Sequence, residues 1–174
     1  MKKIITVVIL VSGLFFATTS EAQTKLGYIS LETMVRIMPE TAKIDSVLER
    51  YQADSINPQY AQIVSLYQYK DSVYRDSTKT PAAVRKQIEG ELPTLIYQIQ
   101  NWQQIVNQAI ESKQNELLEP IYKRVYDAIR AVAKEKGYSH VFNKEAFLVA
   151  PEGDDIILLV ANKLKVKLPP AAQR

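Results

Sequence analysis

The chain has 174 residues, with 22 Lys or Arg against 19 Asp or Glu, ten tyrosines, five glycines and no cysteine. The missing thiols exclude disulfides and thiolate metal sites. The near balance of charge argues against a nucleic-acid partner, and so few glycines do not suit a loop-rich β protein.

Residues 1–22 read as an export signal. Lys2 and Lys3 form the charged start, Ile4 to Leu10, Val11 and Leu14 to Ala17 the apolar run, and Ser20-Glu21-Ala22 a small-x-small cleavage site before Gln23. The run falls well short of the ~20 apolar residues that span a bilayer. A lipoprotein would need a cysteine at the cut. Residues 23–174 are therefore expected to form one soluble domain outside the cytoplasm, in a cell envelope. Without Lys2, Lys3 and Glu21, 20 basic and 18 acidic residues remain.

KLGYIS, Lys25 to Ser30, alternates Leu26, Tyr28 and Ser30 with Gly27 and Ile29, the period of a short strand. LETMVRIM then offers a turn or two of helix before Pro39. From Thr41 to about Asp76 the spacing is helical. Ile44, Val47 and Tyr51 share one phase, and Tyr60, Ile63, Tyr67, Lys70 and Tyr74 share another. Pro58 sits between them, where a kink or register shift is expected. DSTKTPAA breaks the pattern, with Asp76 to Thr80 as a turn, Thr80 as a helix cap and Pro81 at the first helical position. Ile88, Leu92, Leu95, Ile99, Trp102, Val106 and Ala109 follow at alternating spacings of four and three, a coiled-coil seam in which Pro93 should bend the helix. After Pro120 the stripe is Ile121, Val125, Ala128 and Val132, led by Leu118. Pro120 reads as the point where a helix leaves an arm and enters a compact body; a tolerated surface proline is the alternative. Gly137 after Lys134-Glu135-Lys136 is a helix stop. SHVF and AFLVA read as strands joined by a hairpin turn at Asn143-Lys144-Glu145. Asp154 or Asp155 can cap a last helix carrying Ile157, Val160 and Leu164, and LPPAAQR reads as a disordered tail.

The expected fold is α+β and mostly α. A long antiparallel coiled-coil hairpin, residues 41–119, projects from a small β-sheet body made by the chain's two ends, residues 25–40 and 120–168. A body this small is expected to complete its core by oligomerising.

The stretches KLGYISLETMVRIMPE and LLEPIYKRVYDAIRAVAKEKGYSHVFNKEAFLVAPEGDDI, in this order around a long helical hairpin, resemble the Skp/OmpH family of periplasmic chaperones. The likeness covers essentially the whole of residues 23–174, and its C-terminal part is the most specific. It implies a homotrimer shaped like a jellyfish, whose arms surround a cavity that holds unfolded outer-membrane proteins without ATP. The arms of the best-known members are strongly basic. Here Thr41 to Glu119 carries eight Lys or Arg and ten Asp or Glu, so charge gives no support to membrane or lipopolysaccharide contact. Glu111, Glu116 and Glu119 stand where a basic cluster would be needed.

Chemistry-bearing patterns are sparse. His140 has no flanking ligands, and Glu152, Asp154 and Asp155 lack the spacing of a calcium loop, so capping is the better reading. No nucleophile elbow or phosphate-cradling loop occurs. Neither enzyme activity nor a cofactor is expected. Candidate client-binding residues on the arm are Tyr51, Tyr60, Tyr67, Tyr69, Tyr74, Tyr97 and Trp102. Tyr60, Tyr67 and Tyr74 could equally be seam residues, whereas Tyr69 is placed to face a cavity. Leu26, Tyr28, Val141, Phe147 and Val149 are expected in the body sheet, building the subunit interface. The rival reading is a coiled-coil structural or adaptor protein that binds one folded partner of the envelope.

Overall fold

The structure is a computed structural model, and it describes residues 24–169. The expected export signal and the end of the expected disordered tail lie outside these residues.

Strand β1 spans Leu26–Ile29, and helix α1 spans Leu31–Arg36. Ser30 joins them as the N-cap, its hydroxyl accepting from the Thr33 N–H. The ascending side of the hairpin comprises α2 (Ile44–Tyr51), a π-helical turn (Gln52–Ile56) and α3 (Asn57–Arg75). The descending side comprises α4 (Ala82–Gln100) and α5 (Trp102–Lys136). Strand β2 (His140–Asn143) and α6 (Ile157–Leu164) close the described chain.

The expected register shift near Pro58 is the π turn, in which the Asn57 N–H bonds the Gln52 carbonyl. A proline ring clashes with the carbonyl four residues back, and the wider turn just before Pro58 relieves that conflict. On the descending side the helix continues through Pro93, and the interruption falls eight residues later, at Asn101 (φ −100°, ψ 15°). Both the Asn101 N–H and its side-chain amide donate to the Tyr97 carbonyl at 2.9 Å. The helix also continues through Pro120, so the entry into the body is not a break. What changes there is the packing. Ile88, Leu95 and Val106 are buried in the hairpin seam, with Leu92, Ile99, Trp102 and Ala109 half-buried. Ile121, Val125, Ala128 and Val132 are buried instead in the body core.

That core is shared by β1, α1, the start of α2, α5 and α6. Ile29, Met34, Val35, Met38 and Ile44 meet the α5 stripe and Ile156, Ile157, Val160 and Ala161. Gly137 ends α5 in the left-handed conformation (φ 72°), which a residue without Cβ adopts freely. Ile156 holds the N-cap position of α6, and Asp155 just before it accepts from the Ile157 N–H through Oδ1 at 2.9 Å. Thr80 does not cap α4. Pro81 occupies the cap position, and the Thr80 hydroxyl donates to the Val73 carbonyl at 2.9 Å. Asp76 organises the tip, its Oδ1 accepting from the N–H groups of Thr78 (3.2 Å) and Lys79 (3.1 Å).

The sheet corrects one expectation. β1 and β2 pair in parallel, with Leu26 opposite His140 and Ile29 opposite Asn143. AFLVA forms no strand and no hairpin with SHVF. Asn143 Oδ1 accepts from the Leu31 N–H at 3.2 Å, and Glu145 accepts from the Ser30 hydroxyl at 2.7 Å. These two side chains tie the presumed turn to the start of α1 and carry the chain across the sheet instead of back along it. Phe147 and Val149 therefore lie outside the sheet. Leu26, Tyr28 and Val141 are within it.

Candidate functional site

Two surfaces stand out, one on the arm and one on the body. On the arm, the half-buried Tyr67 and Tyr74 belong to the packed side of α3. Tyr60 lies against Trp102, ring centroids 5.3 Å apart, and Tyr51 lies beneath the Lys113 ammonium, 5.8 Å from the ring centroid. Both rings hold the two sides of the hairpin together. Tyr69 and Tyr97 differ, being 66% and 62% exposed. Their rings stand in solvent with Leu66 and Ile96, which the helical spacing did not single out. The candidate aromatics thus divide into structural rings and free ones.

Ion pairs brace the arm. Lys70 bonds Glu91 across the hairpin, and this holds the Glu91 carboxyl below its ordinary value, helped by a bond from Gln87. At the root, Arg124 bonds Glu40, whose carboxyl is held low first by its own backbone N–H and then by Arg124. Beside this pair lies an apolar cleft of about 220 Å³, lined by Ile44, Val47, Leu117 and Ile121. On the outer face of α5, Tyr122 and Tyr126 are exposed beside Lys123 and Arg130. They lie one position off the buried stripe, the only sequence signal that could have found them.

On the body, Tyr28 is buried and Val141 half-buried, while Leu26 is 45%, Phe147 40% and Val149 89% exposed. Phe147 packs edge-on against Phe142 (5.5 Å between centroids) and tilted against Tyr28 (5.9 Å). Leu148 is fully exposed. Leu26, Phe142, Phe147, Leu148 and Val149 therefore form an open apolar surface beside the two-stranded sheet. A patch of this kind on a small body marks an interaction surface.

Among the described residues, no group of three or more His, Asp or Glu side chains is placed to hold a metal ion. No described helix is long and apolar enough to cross a membrane.

Residues 25–164 match the family of outer membrane proteins described as OmpH-like. The chain belongs to that OmpH-like family. Its fold is similar to the crystal structure of a candidate outer membrane chaperone (OmpH-like) from Caulobacter crescentus, with a TM-score of 0.50 at 17% sequence identity, covering 85% of this chain and 88% of that one. At that identity the likeness concerns the fold. No match was found among curated proteins. The likeness in fold takes in both the hairpin and the small body of this chain.

Proposed function

We propose that this protein is an ATP-independent holdase of the periplasm, exported by a signal cleaved after Ala22, that holds unfolded outer-membrane proteins between helical arms and prevents their aggregation. The observation that carries the reading is the family match over residues 25–164 on a chain whose hairpin leaves Tyr69 and Tyr97 unpacked. Exposed amphipathic rings suit weak, promiscuous contact with an unfolded chain. Summed over several arms, such contacts give useful affinity by multivalency, with no single residue essential. No step in this mechanism requires a nucleotide, a cofactor or catalysis.

The reading includes a homotrimer. The open surface of Leu26, Phe147, Leu148 and Val149 supports it, because subunits meeting there would bury apolar area that the single body leaves in water. The test is size-exclusion with light scattering, with and without an unfolded outer-membrane barrel diluted from urea, in the absence of nucleotide. A trimer that shifts to a discrete complex supports the proposal. A protein that leaves the barrel to aggregate, but captures one folded envelope partner, would favour an adaptor instead.

A further inference from the structure

Charged residues make up 24% of the chain, yet none occurs from Ser55 to Tyr69 or from Leu92 to Ile110. The fold sets these two runs against each other. Tyr60 of one packs on Trp102 of the other. The tip-side boundary is the Lys70–Glu91 ion pair, and the body-side boundary is Lys113 over the Tyr51 ring. The result is a belt around the middle of the arm with no formal charge, roughly 20–30 Å tall at 1.5 Å of rise per residue. Charged side chains resume on both sides of it, at Asp54 and Glu111 below and at Lys70 and Glu91 above.

The belt is not apolar throughout. Leu66, Tyr69, Ile96 and Tyr97 are exposed on it, and so are the amides of Gln62, Gln68, Gln104 and Gln108. A charge trapped under a bound segment must be paired or it opposes binding, and here there is none to trap. A glutamine amide both donates and accepts, so it can satisfy the free N–H and C=O groups of an extended chain. The rings and Leu66 supply apolar contact. This chemistry complements a segment that is extended, low in charge and alternates apolar with polar side chains, the pattern of a membrane β-barrel strand before it folds.

We propose that the uncharged belt is the surface on which the arm takes up its partner, and that the partner is such an unfolded barrel strand. The inference rests on the holdase reading and narrows it. Tyr69 and Tyr97 fall within the contact, whereas Tyr51 and Tyr74 fall outside it. The charged tip and root serve as solvated flanks.

The test introduces charge of either sign at exposed belt positions. Gln62, Gln104 and Gln108 are changed together to Glu in one protein and together to Lys in another. A control of equal charge carries Gln52→Glu, Gln114→Glu and Asn115→Asp, outside the belt. Circular dichroism confirms the helix content of each. Affinity for an unfolded outer-membrane barrel is then measured by fluorescence at moderate and high salt. Both belt variants should weaken binding by about tenfold or more at either salt, with the Glu control within about twofold of the parent. Tighter binding by the Lys variant would mean that client charge governs capture, and would overturn the proposal. So would equal loss in the control. Loss of self-association in the belt variants alone would make the belt a contact between arms, again overturning it. If the parent protein binds no unfolded barrel, the holdase reading itself falls; binding that is indifferent to belt charge removes only the belt.

Discussion

Gly27→Ala tests the packing of the body at a single carbon. Gly27 lies in β1, opposite Val141, and a Cβ built there would sit 3.0 Å from Cδ1 and Cε1 of Tyr138 and 3.1 Å from Cγ2 of Ile156. Ordinary carbon–carbon contacts lie at about 3.5–4.0 Å, so these atoms must give by a few tenths of an ångström. Neither neighbour is free to do so. Ile156 is fully buried in the core, and the half-buried Tyr138 ring lies under the Lys25 ammonium, 4.1 Å from its centroid. Overpacking of this kind costs about 1–3 kcal/mol. At about 2–4 °C per kcal/mol for a domain of this size, the melting temperature should fall by roughly 2–12 °C. Urea and thermal unfolding, followed by circular dichroism at one protein concentration, would measure it. Tyr138→Ala removes the obstructing ring, so the double variant should lose less than the sum of the two single losses. A Gly27→Ala protein of unchanged stability, or strictly additive losses in the double variant, would refute the packing described for the sheet.

Other expectations follow from the same structure. Met34→Ala empties a fully buried site and should cost about 2–5 kcal/mol by urea unfolding. Phe147→Asp places a charge on the open apolar surface while leaving the subunit core intact, so light scattering should find folded chains of lower mass; a variant that remains trimeric would contradict the proposed interface. A short Gly/Ser insertion between Ser77 and Thr78 disturbs only the Asp76 turn and should leave the oligomer unchanged, because closure entropy grows slowly with loop length. The Glu91 carboxyl is held below its ordinary 4.5 in the folded arm, so its pairing with Lys70 stabilises the tip above that pH and loses its effect as pH falls through the lowered value. Protease nicking near residue 78 should rise on acidification in the parent and change less in Glu91→Gln.

Much of this architecture was legible because it is local. The stripe from Ile121 to Val132, the stop at Gly137, the strand at Leu26 to Ile29 and the hairpin seam are patterns of spacing, and each is where spacing placed it. Pro58 signalled its register shift because the conflict it creates lies within one turn. What was illegible depends on distant partners. Asn143 and Glu145 read as turn residues, but they bond Leu31 and Ser30, which lie more than a hundred residues earlier. That is why AFLVA is not the second strand of a hairpin. The descending helix is interrupted at Asn101, although Pro93 was the stronger local signal. On the arm, helical phase separated the packed Tyr67 and Tyr74 from the free Tyr69. It grouped Tyr60 with that packed pair as well, and the ring of Tyr60 does lie on Trp102 across the hairpin. On the body, alternation found an apolar face at Leu26, Phe147 and Val149 but does not encode what covers it.

Suppression of aggregation measures the central claim most directly. An unfolded outer-membrane barrel is diluted from urea into buffer without nucleotide, with and without the purified protein, at low and high salt, and turbidity is followed. Salt screens exposed charges beyond about 8 Å at physiological strength and leaves apolar contact largely intact. The account predicts that the protein keeps several unrelated barrels soluble and that protection falls only modestly at high salt. Barrels that aggregate as fast with the protein as without it would contradict the holdase reading, and protection abolished by salt would contradict capture through uncharged contacts.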